Sequence, residues 1–270
     1  MAVVAVNDPD DARIADYRSI SDAVLLTDRQ LFVAEGRQVV KRLLAGGRLV
    51  AHSVLVTPAA LAALRTDLDP GAVTVYLVPQ AVMNAVAGFN IHRGCLALGR
   101  RRAPVDWRQL AGGARRLVAL ERVGNADNIG AIFRNAAAFG ADAVLLGPDC
   151  ADPLYRKAIR TSMAATLTVP FAQAVPWPVA LHELRAGGMR VIGLSPRADA
   201  PSIRDVRATF DDRVTIVLGH EGEGLTHEAM DACDALARVP MTGAVDSLNV
   251  ATACGIALYE LASPVLRCAM

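Results

Sequence analysis

'VTIVLGHEGEGLT' (Val214–Thr226) and, shortly after it, 'VPMTGAVDSLNVATACGIALYEL' (Val239–Leu261) decide how the rest of this chain is read. The apolar run Val214–Leu218 has the length and bounds of a fully buried strand. It opens into a loop with glycines at 219, 222 and 224, which let the backbone come close to a ligand. A second short run, Leu236–Val239, stops at Pro240 and leads into a loop closed by Gly243. Ser247 stands where a helix would begin, its hydroxyl placed to cap the first turn. From Val250 to Leu261 the residues are apolar nearly all round, so that helix is expected to be buried or in an interface. Two strand ends and a helix start meeting at glycines and polar groups is how an α/β protein builds a small-molecule site. The Gly-x-x-Gly-x-Gly spacing differs from a dinucleotide fingerprint, which needs G-x-G-x-x-G early in a βαβ unit and an acid about 20 residues on.

The composition sets outer bounds. A chain of 270 residues suits one large or two modest domains, and 53% hydrophobic against 20% charged residues is ample for a core. No apolar run approaches the roughly 18 residues of a membrane span. The opening residues, with Asp8, Asp10 and Asp11, do not form a signal peptide, so a soluble cytoplasmic protein is expected. Cys95, Cys150, Cys233, Cys254 and Cys268 show neither CxxC pairing nor metal-ligand spacing with the histidines. Reduced cysteines and no metal are the expectation. The formal charge of +1 does not announce a nucleic-acid binder, although its distribution matters more than its sum.

Upstream, 'NADNIGAIFRNAAAFGADAVLLG' (Asn125–Gly147) carries Asn128, Gly130 and Arg134 in an Asn-x-Gly-x-x-x-Arg pattern. Together with Gly219, Glu221 and Gly224, and with Pro240, Met241 and Ser247–Val250, it makes three motifs in a fixed order across residues 117–262. These motifs resemble those of the SpoU/TrmH class of the SPOUT superfamily, the RNA ribose 2′-O-methyltransferases. The resemblance implies a Rossmann-like, mostly parallel sheet whose last helix is tucked through a preceding loop into a trefoil knot. It implies S-adenosylmethionine as cofactor, held by Gly219, Val239 and Leu248 with Leu194, Ser195 and Met241 as neighbours. It also implies an RNA substrate and a homodimer paired through the closing helix.

Around the motifs the chain falls into three parts. Residues 1–99 alternate helical and strand-like pieces. Leu31–Gly47 has helical apolar spacing at Val39, Val40, Leu43 and Leu44 and ends in a glycine stop. Ser53–Thr57, Val73–Pro79 and Gly94–Gly99 read as strands, and Pro58 opens a short helix, Ala59–Arg65. This part resembles the small L30e-like RNA-binding α/β domain of many family members. Residues 100–116 hold six arginines against one acid, Asp106, and read as a basic linker suited to phosphate or merely to water. Trp107 within it stacks on a base or anchors the linker to a domain. From 117 to 270 strands and helices alternate, as in a mostly parallel sheet. Strands are expected at Leu117–Glu121, Ala143–Leu146, Thr166–Val169, Arg190–Leu194 and Val214–Leu218. Helices are expected at Ile129–Phe139, Pro153–Met163 and Val179–Ala186.

The chemistry that the resemblance implies needs a methyl group and a ribose oxygen in near-attack geometry and a route for the hydroxyl proton. Family precedent makes Arg134 the general base, but a guanidinium with a pKa above about 12 is almost never neutral. Arg134 is therefore expected to grip the target phosphate and orient the 2′-hydroxyl, from a helix that Asn128 caps. Glu221 is expected to orient Arg134 or Asn249, and Ser247 and Asn249 to position substrate and cofactor. Two residues depart from the family pattern: Ala251 stands where many relatives have Ser, and Ala164 where Gly is frequent. Arg156, Lys157 and Arg160 share one helix, either as an RNA face or as a solvated one. Ribosomal RNA is favoured over transfer RNA because the N-terminal part is long. An RNA-binding protein that kept the fold and lost catalysis is the alternative.

Overall fold

A computed structural model describes residues 3–18, 21–68, 71, 73–87, 94–207 and 213–261. The chain divides into two compact units, Met1–Ala103 with Pro153–Thr168, and Pro104–Asp152 with Val169–Met270. Along the chain the first elements are β1 (Val3–Ala5), a 3-10 helix (Ala12–Tyr17), α1 (Asp22–Asp28), β2 (Leu31–Glu35), α2 (Arg37–Leu44) and β3 (Val50–Val56). Then come α3 (Pro58–Leu64), β4 (Thr74–Leu77), α4 (Gln80–Ala87), β5 (Cys95–Arg100), α5 (Trp107–Gly112), β6 (Arg116–Leu120) and α6 (Ala126–Ala138). These are followed by β7 (Ala143–Leu146), α7 (Arg156–Thr161), α8 (Ala165–Thr168), β8 (Phe171–Gln173), α9 (Val179–Ala186) and β9 (Arg190–Leu194). The last are α10 (Ile203–Arg207), β10 (Val214–Leu218), α11 (His227–Asp231), β11 (Ala235–Ala237) and α12 (Val250–Leu261).

The first unit is built on a five-stranded sheet in the order β1-β4-β3-β5-β2. β1, β4 and β3 run parallel, and β5 lies antiparallel between β3 and β2. Its core gathers Ile14, Tyr17, Leu25, Leu55, Met83 and Leu96. The buried Tyr17 hydroxyl shares a 2.7 Å hydrogen bond with Ser53 Oγ, so neither polar group is left without a partner. Part of the Leu31–Gly47 stretch is a strand rather than a helix: β2 pairs with β5, and Gly36 at φ 89 breaks the chain before α2 begins. Pro153–Thr168 packs with this unit, and the Arg156 amide donates to Asp22 Oδ2 at 2.7 Å.

The second unit carries a six-stranded sheet in the order β11-β9-β10-β6-β7-β8, with every pairing parallel. β7 and β10 are buried throughout and β6 from Leu117 onward, which explains why these stretches read as apolar runs. β7, β9 and β10 fall on the residues expected from the sequence, as does α9. The strand expected at Thr166–Val169 is instead the short helix α8, and the strand follows at Phe171–Gln173. The β-branched run suggested a strand, but local bonds favour the helical turn. The Thr166 amide donates to Ser162 Oγ at 3.3 Å, and Thr168 Oγ1 donates to Ala165 O at 3.1 Å. The helix expected at Pro153–Met163 is shorter, and Met163 and Ala164 after it take φ of 52° and 70°. Ala164 thus occupies a left-handed backbone that glycine adopts without strain.

The 100–116 stretch contains α5. Trp107 is 3% exposed in the core beside Leu117, Leu145 and Leu181, so it anchors rather than stacks on a base. Arg108 pairs with Glu183 at 2.6 and 2.7 Å. Arg116 donates to Phe139 O at 2.9 Å, Arg100 meets His52 at 2.9 Å and Arg102 reaches Gly47 O at 3.4 Å. Much of the basic block is thus occupied by internal partners. Among the described residues no helix is long and apolar enough to cross a membrane.

Candidate active site

The site lies at the carboxyl ends of β9, β10 and β11, where a parallel sheet leaves its crevice. Its floor is the loop that follows β10. Gly219 is required there by close packing, since an added Cβ would fall within the backbone of Gly224 and Leu225. Gly224, at φ 74, turns the loop back on itself. Two backbone bonds between His220 and Gly224, at 3.0 and 2.9 Å, close the turn. His220 Nδ1 accepts from the Gly222 and Glu223 amides, both at 3.1 Å, which fastens the side chain across the turn. The loop is held in shape by its own atoms.

Leu194, Ser195, Gly219, Val239, Met241 and Leu248, expected from the sequence to hold a cofactor, all line one pocket. Glu221 and Ser247 line it too, while Asn128, Arg134 and Asn249 do not. Sequence reasoning missed His220, Pro196, Ala237 and Val250 as lining residues. His220 had a legible signal, a hydrogen-bond acceptor standing between two turn glycines. The walls are mainly apolar side chains and backbone, which suits a flat heteroaromatic ring. Glu221 brings a carboxylate suited to a cationic group. This lining suits the chemical character of S-adenosylmethionine, an adenine ring beside a sulfonium.

Beside the pocket the three motifs are joined by one chain of side-chain hydrogen bonds. Asn249 Nδ2 donates to Asn128 Oδ1 at 2.9 Å, and Asn128 Nδ2 donates to Glu221 Oε1 at 2.8 Å. Glu221 therefore reaches Asn249 only through Asn128, and it makes no bond to Arg134. At about 100° per residue, six positions of a continuous α6 put Arg134 on another face from Asn128. Arg134 is exposed, with no hydrogen-bond or ion-pair partner among the described residues.

Both helix starts differ from expectation. α6 is capped by Asn125, whose side chain accepts from the Asp127 amide at 2.9 Å, and Asn128 lies within the first turn. α12 is capped by Asn249, which accepts from the Ala251 and Thr252 amides at 2.9 and 3.2 Å, and not by Ser247. In each case an asparagine two residues before the amide it receives is better placed than the residue expected. Ala251 contributes backbone only, its carbonyl accepting from Asn135 Nδ2 at 2.7 Å. The Ser that relatives carry there is not needed for the bonds seen here.

Cys95, Cys150, Cys233 and Cys254 are free thiols, and burial pushes that of Cys254 up to about 12. Cys268 lies outside the described residues. No cluster of three or more His, Cys, Asp or Glu that could hold a metal ion occurs among the described residues.

Comparisons with known proteins identify the family of the chain. Residues 115–259 match the family model of the SpoU rRNA Methylase family. Over 260 residues the chain is 40% identical to an uncharacterized tRNA/rRNA methyltransferase of Mycobacterium bovis, covering 94% of this chain and 90% of the relative. An AdoMet-bound rRNA methyltransferase from Sinorhizobium meliloti superposes with a TM-score of 0.79 at 24% identity, over 96% of this chain and 97% of the other. The SpoU methyltransferase AviRb from Streptomyces viridochromogenes does so with a TM-score of 0.76 at 23% identity, over 95% and 98%. At such identities the likeness speaks for the fold. With the three motifs joined by hydrogen bonds beside one pocket, a family model matching residues 115–259 and a 40% identical relative spanning nearly the whole chain, this protein belongs to the SpoU rRNA methylase family.

Proposed function

We propose that this protein is an S-adenosylmethionine-dependent methyltransferase of ribose 2′-hydroxyls in structured RNA, ribosomal RNA in preference to transfer RNA. The observation that carries the reading is the Asn249–Asn128–Glu221 chain standing beside a pocket lined by the six residues expected to hold the cofactor. Bound there, S-adenosylmethionine would supply a sulfonium methyl open to in-line attack by the ribose oxygen. Gly219, Val239 and Leu248 would hold the cofactor, with Leu194, Ser195 and Met241 beside them. The asparagine chain keeps Glu221 and Asn249 in one geometry, so that neither reorganises during the reaction. Ser247, exposed at the pocket rim, would position the ribose. Arg134, exposed and unengaged, would grip the phosphate of the target nucleotide and orient its 2′-hydroxyl. A guanidinium does this as a planar fork, and the proton would leave to that phosphate or to water.

The same reading makes residues 1–99 the RNA-binding domain and 117–270 the methyltransferase domain, with the last helix threaded into a trefoil knot. It makes the protein a cytoplasmic C2 homodimer. The preference for ribosomal RNA rests on the extent of the N-terminal α/β part, a feature shared by resemblance with members that act on ribosomal RNA.

Calorimetry with S-adenosylmethionine and transfer assays on Arg134 variants test the reading together. Wild-type protein is expected to bind the cofactor with micromolar affinity, about −8 kcal/mol. Arg134→Ala should keep that affinity within about threefold and lose transfer by at least about 100-fold, since the contact acts at the transition state. Arg134→Lys should not restore transfer. No heat from wild type at millimolar cofactor would refute the enzyme reading. Wild-type rates from both variants would remove Arg134 from the site.

A further inference from the structure

Glu121 is the only buried acid among the described residues, 1% exposed, and nothing in the chemistry above uses it. It directly follows β6. No Lys or Arg pairs with it among the described residues; its partners are neutral. Glu121 Oε1 accepts from Trp177 Nε1 at 2.7 Å and from the Thr226 hydroxyl at 2.8 Å, and Oε2 accepts from the Thr226 amide at 2.9 Å. A carboxylate taken out of water persists only where well-placed donors meet its lone pairs, and here two of the three donors belong to Thr226. The Glu121 backbone amide in turn donates to Leu218 O at 2.8 Å. One residue therefore grips both ends of the loop 219–225, five of whose residues line the pocket.

The division of labour is visible in the bonds. The His220–Gly224 backbone pair and His220 Nδ1 set the shape of the loop, but neither ties it to the sheet. A second tie, Arg122 to Glu223 at 2.8 Å, is between side chains 35% and 66% exposed, where water and salt weaken an ion pair. Thr226 passes the restraint onward, its hydroxyl accepting from the Ala229 amide at 3.2 Å as the cap of α11.

We infer that Glu121 is a positioning residue for cofactor binding, which sets where the preformed Gly219–Thr226 loop stands against the sheet. The inference rests on reading the pocket as the S-adenosylmethionine site. Glu121→Gln keeps volume and one carbonyl oxygen, yet turns an NH2 group onto at least one donor of Thr226. Thr226→Val removes the hydroxyl tie alone. Trp177→Phe removes the donor that has no part in the loop.

Calorimetry and steady-state kinetics on the full-length chain, with S-adenosylmethionine as the titrant, separate the outcomes. Glu121→Gln and Thr226→Val should weaken cofactor affinity at least tenfold and raise KM for the cofactor by a similar factor, with kcat within about threefold. Thr226→Ser should restore the affinity, and Trp177→Phe should leave it within twofold. If Glu121 only steadies the fold, Glu121→Gln and Trp177→Phe will lower Tm alike, and folded protein will bind cofactor as wild type does. That result overturns the assignment. Should Glu121→Gln fail to fold, the Thr226→Val and Thr226→Ser pair decides by the same affinities. Wild-type protein without measurable binding would overturn the pocket reading and this assignment together. Wild-type binding shared by every variant would overturn the assignment alone.

Discussion

Single atoms at Gly219 separate a loop that cradles a ligand from one that merely turns. No Cβ fits at Gly219 without displacing the Gly224 and Leu225 backbone. At Gly222 the nearest atom to an added Cβ is His220 Cε1, at an ordinary 3.5 Å. Gly219→Ala should therefore reduce S-adenosylmethionine affinity by at least about 100-fold, and cost about 1–3 kcal/mol of stability through overpacking. Gly222→Ala should stay within about threefold of wild type. Calorimetry and thermal melts on both variants check the contrast, and equal affinities would mean that the loop backbone does not face the ligand.

At the scale of elements, α6 and α12 are the pair that organises the site. They approach closely at Gly255, where an added Cβ would stand 3.0 Å from Asn135 Nδ2. The Asn135 side chain joins the helices through the Ala251 carbonyl. Asn249 serves two ends at once: its oxygen caps α12, and its nitrogen donates to Asn128. Aspartate keeps the capping oxygen but has no N–H, and places a negative charge beside Asn128 Oδ1. Asn249→Asp should thus melt within a few degrees of wild type while methyl transfer falls at least about tenfold. Asn249→Ala should lose transfer and also about 1 kcal/mol of stability, the usual worth of a cap. A transfer assay beside thermal unfolding reads both, and an Asp variant with full activity would remove the asparagine chain from the mechanism.

For the whole molecule, the proposed homodimer draws on what α12 leaves uncovered. The helix buries Val250, Cys254, Leu258 and Leu261 within its own unit, yet Tyr259 stays 52% exposed, resting edge-on against Phe139 at 6.0 Å. A large aromatic exposed on a mostly apolar helix suits an isologous contact. Sedimentation at micromolar concentration should find a dimer, and Tyr259→Asp should shift it toward monomer. A wild-type monomer at that concentration would defeat the dimer reading.

Burial was written plainly in the chain. Val214–Leu218, Ala143–Leu146 and the Val191–Leu194 part of β9 are short, mostly apolar runs, and a parallel sheet covered on both faces needs nothing more to specify them. The loop glycines 219 and 224 and the apolar positions expected to hold a cofactor could likewise be read from sequence and resemblance, and they do line one pocket. Hydrogen-bond partners were not legible. Asn128 and Glu221 are 93 residues apart, and Asn249 and Asn128 are 121 apart. Nothing local tells an asparagine that caps its own helix from one that bonds a distant loop. The same holds for Glu121, which follows its strand as any solvated acid might, while its donors Trp177 and Thr226 stand 56 and 105 residues away. Sequence pattern carries which residues leave water; only the assembled sheet brings together the donors and acceptors that those residues must then satisfy.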